Sequence, residues 1–240
     1  MWNAWDVLLI AVLTIGAMFF FMLLVTFAAR RFLYPGVPFL AVAQKPVLAV
    51  FSQLLAYLFV VALMVVLVKG QYGVPFWAAI RWNWPQQRWW RYLGLGLVLY
   101  LALQGVAHLL PIPKNLPIDR FLQNARQAYI FSVFAITLGP LVEELFFRGF
   151  LYPVLARRMG VAWGIFFTAL GFSPIHAPQL GRAWGPVLAI FLVGAALTIV
   201  RAVTKSLAAS LLVHIGYNGT LSALLFIATD KFQHLERLNR

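Results

Sequence analysis

The sequence contains no cysteine, and only six of its 240 residues are acidic. The first absence excludes disulfides, thiolate nucleophiles and cysteine-ligated metal sites. Charged residues make up 10% of the chain. An ordinary water-soluble surface draws on roughly 25%, so that class is excluded too. No His-Glu-x-x-His occurs, and the two closely spaced ligands of the common zinc-protease helix are therefore missing. Internal repeats, low-complexity tracts and long polar linkers are also lacking. The chain is expected to form a single integral-membrane domain over residues 1–240.

What is present is apolar: 63% of residues are hydrophobic and the mean hydropathy is +0.87. A helix needs about 20 apolar residues to cross the hydrocarbon of a bilayer. Uncharged runs of that length cover residues 7–29, 46–68, 92–113 and 206–229, with a shorter one at 183–200. Two more, at about 127–156 and 159–181, are long enough but carry polar residues or prolines. These runs predict an all-α, polytopic membrane protein with about seven transmembrane helices (six to eight). Arg30 and Arg31 follow the first run instead of preceding it, the pattern of a retained span and not of a cleaved signal.

The segment "YGVPFWAAIRWNWPQQRWWRY" (72–92) is too polar to span but rich in tryptophan and arginine, which places it in the headgroup layer. A short re-entrant or additional helix fits either this segment or residues 32–44. The formal charge of +13 is scattered in ones and twos between apolar runs, as in membrane proteins, and forms no nucleic-acid-binding face. The lipid bilayer is thus the expected partner, and nucleic acid is not. The loop cations divide nearly evenly between the two sides, which leaves the orientation unset.

Three polar islands interrupt the later runs. The first is "LVEELFFRGF" (141–150). An ionised side chain at the bilayer centre costs about 2.5–3.5 kcal/mol even on insertion scales, so Glu143, Glu144 and Arg148 need a compensating role. Glu144 and Arg148 are four apart and share a helix face, whereas Glu143 lies about 140° round the helix from Arg148. Glu144 can therefore pair with Arg148 while Glu143 faces something else. An ion pair that only fixes helix packing is the bland alternative. Gly139–Pro140, just upstream, marks a helix start or kink; irregular backbone at membrane depth is tolerated beside protein or a wet cavity.

The second island, "GFSPIHAPQL" (171–180), holds His176 four residues after Phe172, between Pro174 and Pro178. Taken alone, a capping or packing histidine explains it. The third, "LLVHIGYNGT" (211–220), sets His214 and Asn218 on one helix face; hydrogen bonds between neighbouring helices would explain these two. His108 and His234 have no such companions and read as structural.

Taken together, "EELFFR" (143–148), "FSPIH" (172–176) and "HIGYN" (214–218), in that order on successive apolar helices, resemble the CAAX-protease and bacteriocin-processing family. Its members are intramembrane glutamic proteases related to the CaaX prenyl endopeptidase. The resemblance covers about residues 127–229 and is met at every motif position. It implies that Glu143 is a general base acting on water with His176, and that His214 and Asn218 stabilise the oxyanion. Glu144 and Arg148 would be supporting residues. It also implies peptide-bond hydrolysis without a metal or cofactor, on a membrane-associated protein or peptide, prenylated substrates included. The expected location is multi-pass, in the cell membrane of a prokaryote.

Two other classes remain open on the residues alone. Glu143, His176 and His214 supply a donor set that catalytic zinc accepts. A non-enzymatic binding or immunity protein, or a proton-coupled transporter, also keeps acids and histidines at membrane depth.

Overall fold

The computed structural model describes residues 2–113 and 115–239 and contains only helices, turns and loops; no strand occurs among the described residues. The chain divides into two compact units, one reaching to Phe76 and the other starting at Trp77.

In the first unit, helix α1 (Ala4–Phe32) starts at a capping box. The Asn3 side chain accepts from the Trp5 and Asp6 amides, and Asp6 accepts the Asn3 amide in return. These bonds satisfy donors that a helix start otherwise leaves open. Arg30 and Arg31 close the last turn, where cations suit both the helix dipole and the headgroups. A five-residue helix, α2 (Phe39–Ala43), falls in the stretch considered for a re-entrant helix and is far too short to span. Helix α3 (Pro46–Val66) begins with proline at its first turn, where no amide is needed. It runs on through a π-helical turn, Leu67–Gln71. It packs along α1 through Ala56, Tyr57, Val60 and Met64, while Leu8, Phe19, Phe20 and Phe27 of α1 stay exposed, as lipid-facing residues do.

In the second unit, the Trp/Arg-rich segment forms no span. It contains the end of a four-residue helix, α4 (Phe76–Ala79), and leads into α5 (Trp89–Ala107). Helix α5 lies against α11 (Leu207–Ala228) at backbone contact. A Cβ on Gly96 would come within 2.3 Å of the Val213 carbonyl, and one on Gly216 within 2.3 Å of the Leu93 carbonyl. Only glycine fits at either place, the small-residue solution to helix packing in lipid. Leu103, Val193, Leu197 and Val213 form the buried core beneath.

The expected span at 127–156 is real but broken. Helix α6 (Ala125–Ile136) stops at Thr137, and α7 (Leu138–Glu144) follows. A π-helical segment (Leu145–Leu151) and α8 (Tyr152–Met159) complete it. The break falls just before Gly139–Pro140, as the proline predicts, and the two glutamates end α7. Among the described residues, six helices are long and apolar enough to cross a membrane. The expected seventh is shorter: α9 (Val161–Phe172) gives way to a 3₁₀ turn at Pro174–His176. Proline there ends the α-helical hydrogen bonding. Helix α10 (Trp184–Thr204) then returns and connects to α11 through Lys205 and Ser206.

Candidate active site

All three polar islands meet within the second unit. Glu144 and Arg148 are completely buried, and every strong hydrogen-bonding group of the pair is occupied. Arg148 donates from Nη1 to Glu144 Oε1 at 2.9 Å and from Nη2 to the Gly194 carbonyl at 2.9 Å; its Nε reaches Thr198 Oγ1 at 3.3 Å. Glu144 Oε2 accepts the Ser210 hydroxyl at 2.6 Å, and Oε1 also faces His214 Nδ1 at 3.0 Å. A buried ion pair survives desolvation only when its remaining hydrogen-bonding capacity is filled in this way.

Glu143, on the other side of the helix, has no cation of this kind. Its carboxylate is 18% exposed, and its two oxygens face His176 Nε2 and His214 Nε2, each at 3.8 Å. These contacts exceed a direct hydrogen bond. The tautomers follow from what each Nδ1 touches. His176 Nδ1 lies 3.0 Å from the Phe172 carbonyl, which can only accept, so Nδ1 carries the proton and Nε2 presents a lone pair. His214 Nδ1 faces the carboxylate of Glu144 and is likewise the protonated nitrogen. In their neutral forms both histidines therefore turn acceptors toward an acceptor carboxylate. Such a cluster is built to share protons or donors placed between its members.

Phe172 separates the closed pair from this open cluster. Its ring lies 4.6 Å from the Arg148 guanidinium carbon, 4.8 Å from the His176 ring and 6.2 Å from the His214 ring. Gly194 makes room for it, because a Cβ there would sit 2.9 Å from the Phe172 ring. The π-helical turn that follows Glu144 belongs to a class of distortion frequent at functional sites. Asn218 is one turn beyond His214 and donates through Nδ2 to the Ala135 carbonyl at 2.7 Å. That carbonyl lies beside the α6–α7 break.

Five groups in this network were not singled out from sequence: Gly194, Thr198, Ser210, and the carbonyls of Phe172 and Ala135. Ser210 was accessible, since it stands four residues before His214 on the same helix face. Gly194 and Thr198 carry the same spacing but sit in an unremarkable apolar run. No group of three His, Asp or Glu side chains among the described residues is arranged to hold a metal ion.

Residues 125–220 match a family model described as type II CAAX prenyl endopeptidase Rce1-like. This stretch is similar to an Rce1-like domain. The matched residues run from the start of α6 into α11 and include Glu143, Glu144, Arg148, His176, His214 and Asn218. In general terms that likeness, together with the six apolar helices, fits a multi-pass intramembrane endopeptidase. Comparison with curated proteins and with solved structures gives no match.

Proposed function

We propose that this protein is a glutamic-type intramembrane endopeptidase in which Glu143 is the general base. The observation that carries this reading is the position of Glu143: its carboxylate is the acidic group facing both His176 Nε2 and His214 Nε2 at 3.8 Å, whereas Glu144 is consumed by Arg148, Ser210 and His214. A water between Glu143 and His176 gives up its proton to the carboxylate as its oxygen attacks the scissile carbonyl. The C–O bond forms, and the carbonyl π electrons move to the oxygen. His214 enters the step as an imidazolium, its second proton taken from solvent beforehand and its Nδ1–H held by Glu144; it donates from Nε2 to the oxyanion and keeps that proton when the intermediate collapses, and the second Asn218 amide hydrogen joins it. Collapse of the intermediate expels the amine, which takes the proton from Glu143. Preorganised donors of this kind act on charge that develops only in the transition state.

The substrate class proposed is a membrane-associated protein or peptide cut near its C-terminus, with farnesylated CaaX-type ends the first to try. The test is cleavage of a quenched peptide panel, including such an end, by the full chain in detergent with and without chelator. Chelator-resistant cleavage, lost in Glu143→Gln, supports the reading. Cleavage that falls with chelator and returns with zinc moves the same three residues to metal ligation. A folded protein that cuts none of the panel leaves a binding role as the better account.

A further inference from the structure

One buried cation plays no part in this site. Arg201, in the last turn of α10, is 4% exposed. Among the described residues its Nε is buried without a hydrogen-bond partner, and its one contact of that kind is a long 3.5 Å approach from Nη2 to the Ile80 carbonyl. The groups that act on it electrostatically are led by a second cation, Arg81, followed by Tyr152 and Glu144. Glu144 is already paired with Arg148. Among the described residues no ion pair involves Arg81, Arg201 or Lys205. The sequence offers no local carboxylate either, since no acidic residue occurs between Asp6 and Asp119 or between Glu144 and Asp230. A buried guanidinium beside a like charge is a costly arrangement unless an anion completes it.

The surroundings are constructed. The chain at residues 81–83 is fastened to the α10–α11 turn by three bonds: Leu207 N–H to the Arg81 carbonyl at 2.9 Å, Asn83 Nδ2 to the Lys205 carbonyl at 3.2 Å, and Ser206 Oγ to the Asn83 carbonyl. Arg81 and Lys205 both hold left-handed backbone conformations, with φ of 58° and 54°. These three bonds are shorter than the 3.5 Å approach of Arg201 to the Ile80 carbonyl, so the guanidinium adds little to fastening the turn. Trp77 and Trp82 meet edge-on at 5.2 Å in the same segment. Helix α10 has 21 residues, about 31 Å at 1.5 Å per residue, which brings its last turn to the edge of the hydrocarbon. Arginine matches the oxygens of a phosphate in a planar fork.

We infer that Arg201 and Arg81, with the Tyr152 hydroxyl beside them, form a phosphate-binding site at the α10–α11 turn. Tyr152 stands eight residues, about two helical turns, after Glu144, and none of the cluster's residues belongs to the proposed cleavage site. A lipid headgroup or free phosphate could supply the same oxyanion.

The test uses the full chain in detergent, titrated separately with dioleoyl phosphatidylglycerol, dioleoylglycerol and inorganic phosphate. Retention is followed by native mass spectrometry and thermal unfolding. The expected result is that phosphatidylglycerol is retained and dioleoylglycerol is not, with binding weakened about tenfold or more in Arg201→Gln and Arg81→Gln. Arg88→Gln, outside the cluster, binds as wild type does. Stabilisation by inorganic phosphate that both variants lose supports the site and assigns the oxyanion to solution. Equal binding by wild type and variants, or no phosphate-dependent retention at all, overturns it. Should Arg201→Gln fail to fold, the exposed Arg81 carries the test alone.

Discussion

Two sides of one helix treat two adjacent carboxylates in opposite ways. Glu144 sits in a sealed polar knot where each nitrogen of Arg148 has a partner. One residue earlier, Glu143 is partly exposed and surrounded by acceptors at 3.8 Å. On the proposed reading, burial therefore does not mark the reactive group. A carboxylate held by three fixed donors, one of them a guanidinium, is a poor proton acceptor. One that faces neutral histidine nitrogens has proton traffic as its natural use. The closed side supplies order to the open one, because Glu144 holds His214 by Nδ1 and so decides what its Nε2 presents.

The contrast can be broken at either carboxylate, and the largest effect is expected at Glu143. Glu143→Gln keeps the shape and removes the base, so cleavage of the preferred peptide should fall by about 10²–10⁴-fold, with the melting profile in detergent unchanged. An equal loss of melting temperature would make Glu143 structural instead. Glu144→Gln should reverse that signature. Leaving Arg148 buried without its carboxylate costs about 3–5 kcal/mol, read as a lowered unfolding transition. The double variant Glu144→Gln/Arg148→Met should recover part of that loss, since no buried charge is then left alone. A double variant less stable than the single one would mean that the pair is not the unit.

Asn218 sharpens the comparison from the open side. Asn218→Ala should lower kcat by about 10²-fold if the second amide hydrogen serves the oxyanion, with KM little changed. Its bond to the Ala135 carbonyl gives a rival account, in which the variant loses stability and KM and kcat drift together.

Much of this was legible in the chain because lipid enforces simple rules. Length and hydropathy located the spans, since a helix must be apolar for about 20 residues to cross. The exception, α9, is cut short by Pro174. The Glu144–Arg148 pair was legible from spacing alone, as was the separate direction of Glu143. Convergence with His176 and His214 was not, because tilt and the 3₁₀ turn are tertiary outcomes. The carbonyls of Phe172 and Ala135 carry no side-chain signal at all, and they fix two of the four proposed catalytic side chains. Gly194 reads as an ordinary helix glycine until Phe172 is seen against it. The division at Phe76 has no linker composition to announce it.

The smallest expected effect tests whether the closed side matters to the open one. Ser210 donates to Glu144 Oε2 at 2.6 Å, and its hydroxyl also lies 2.9 Å from the Leu197 carbonyl. With a single proton to give, it serves the carboxylate, where a charge-assisted bond is stronger. Ser210→Ala removes that donor and leaves Arg148 and His214 in place. The loss should be about 1.5–3 kcal/mol of stability, the range for hydrogen bonds to charged groups. If Glu144 fixes His214 through Oε1 alone, kcat at temperatures well below unfolding should change by less than the Glu143 and Asn218 variants show. A drop in kcat as deep as that of Asn218→Ala, with stability intact, would show that both oxygens of Glu144 set the histidine. The division between a structural and a chemical carboxylate would then be too sharp.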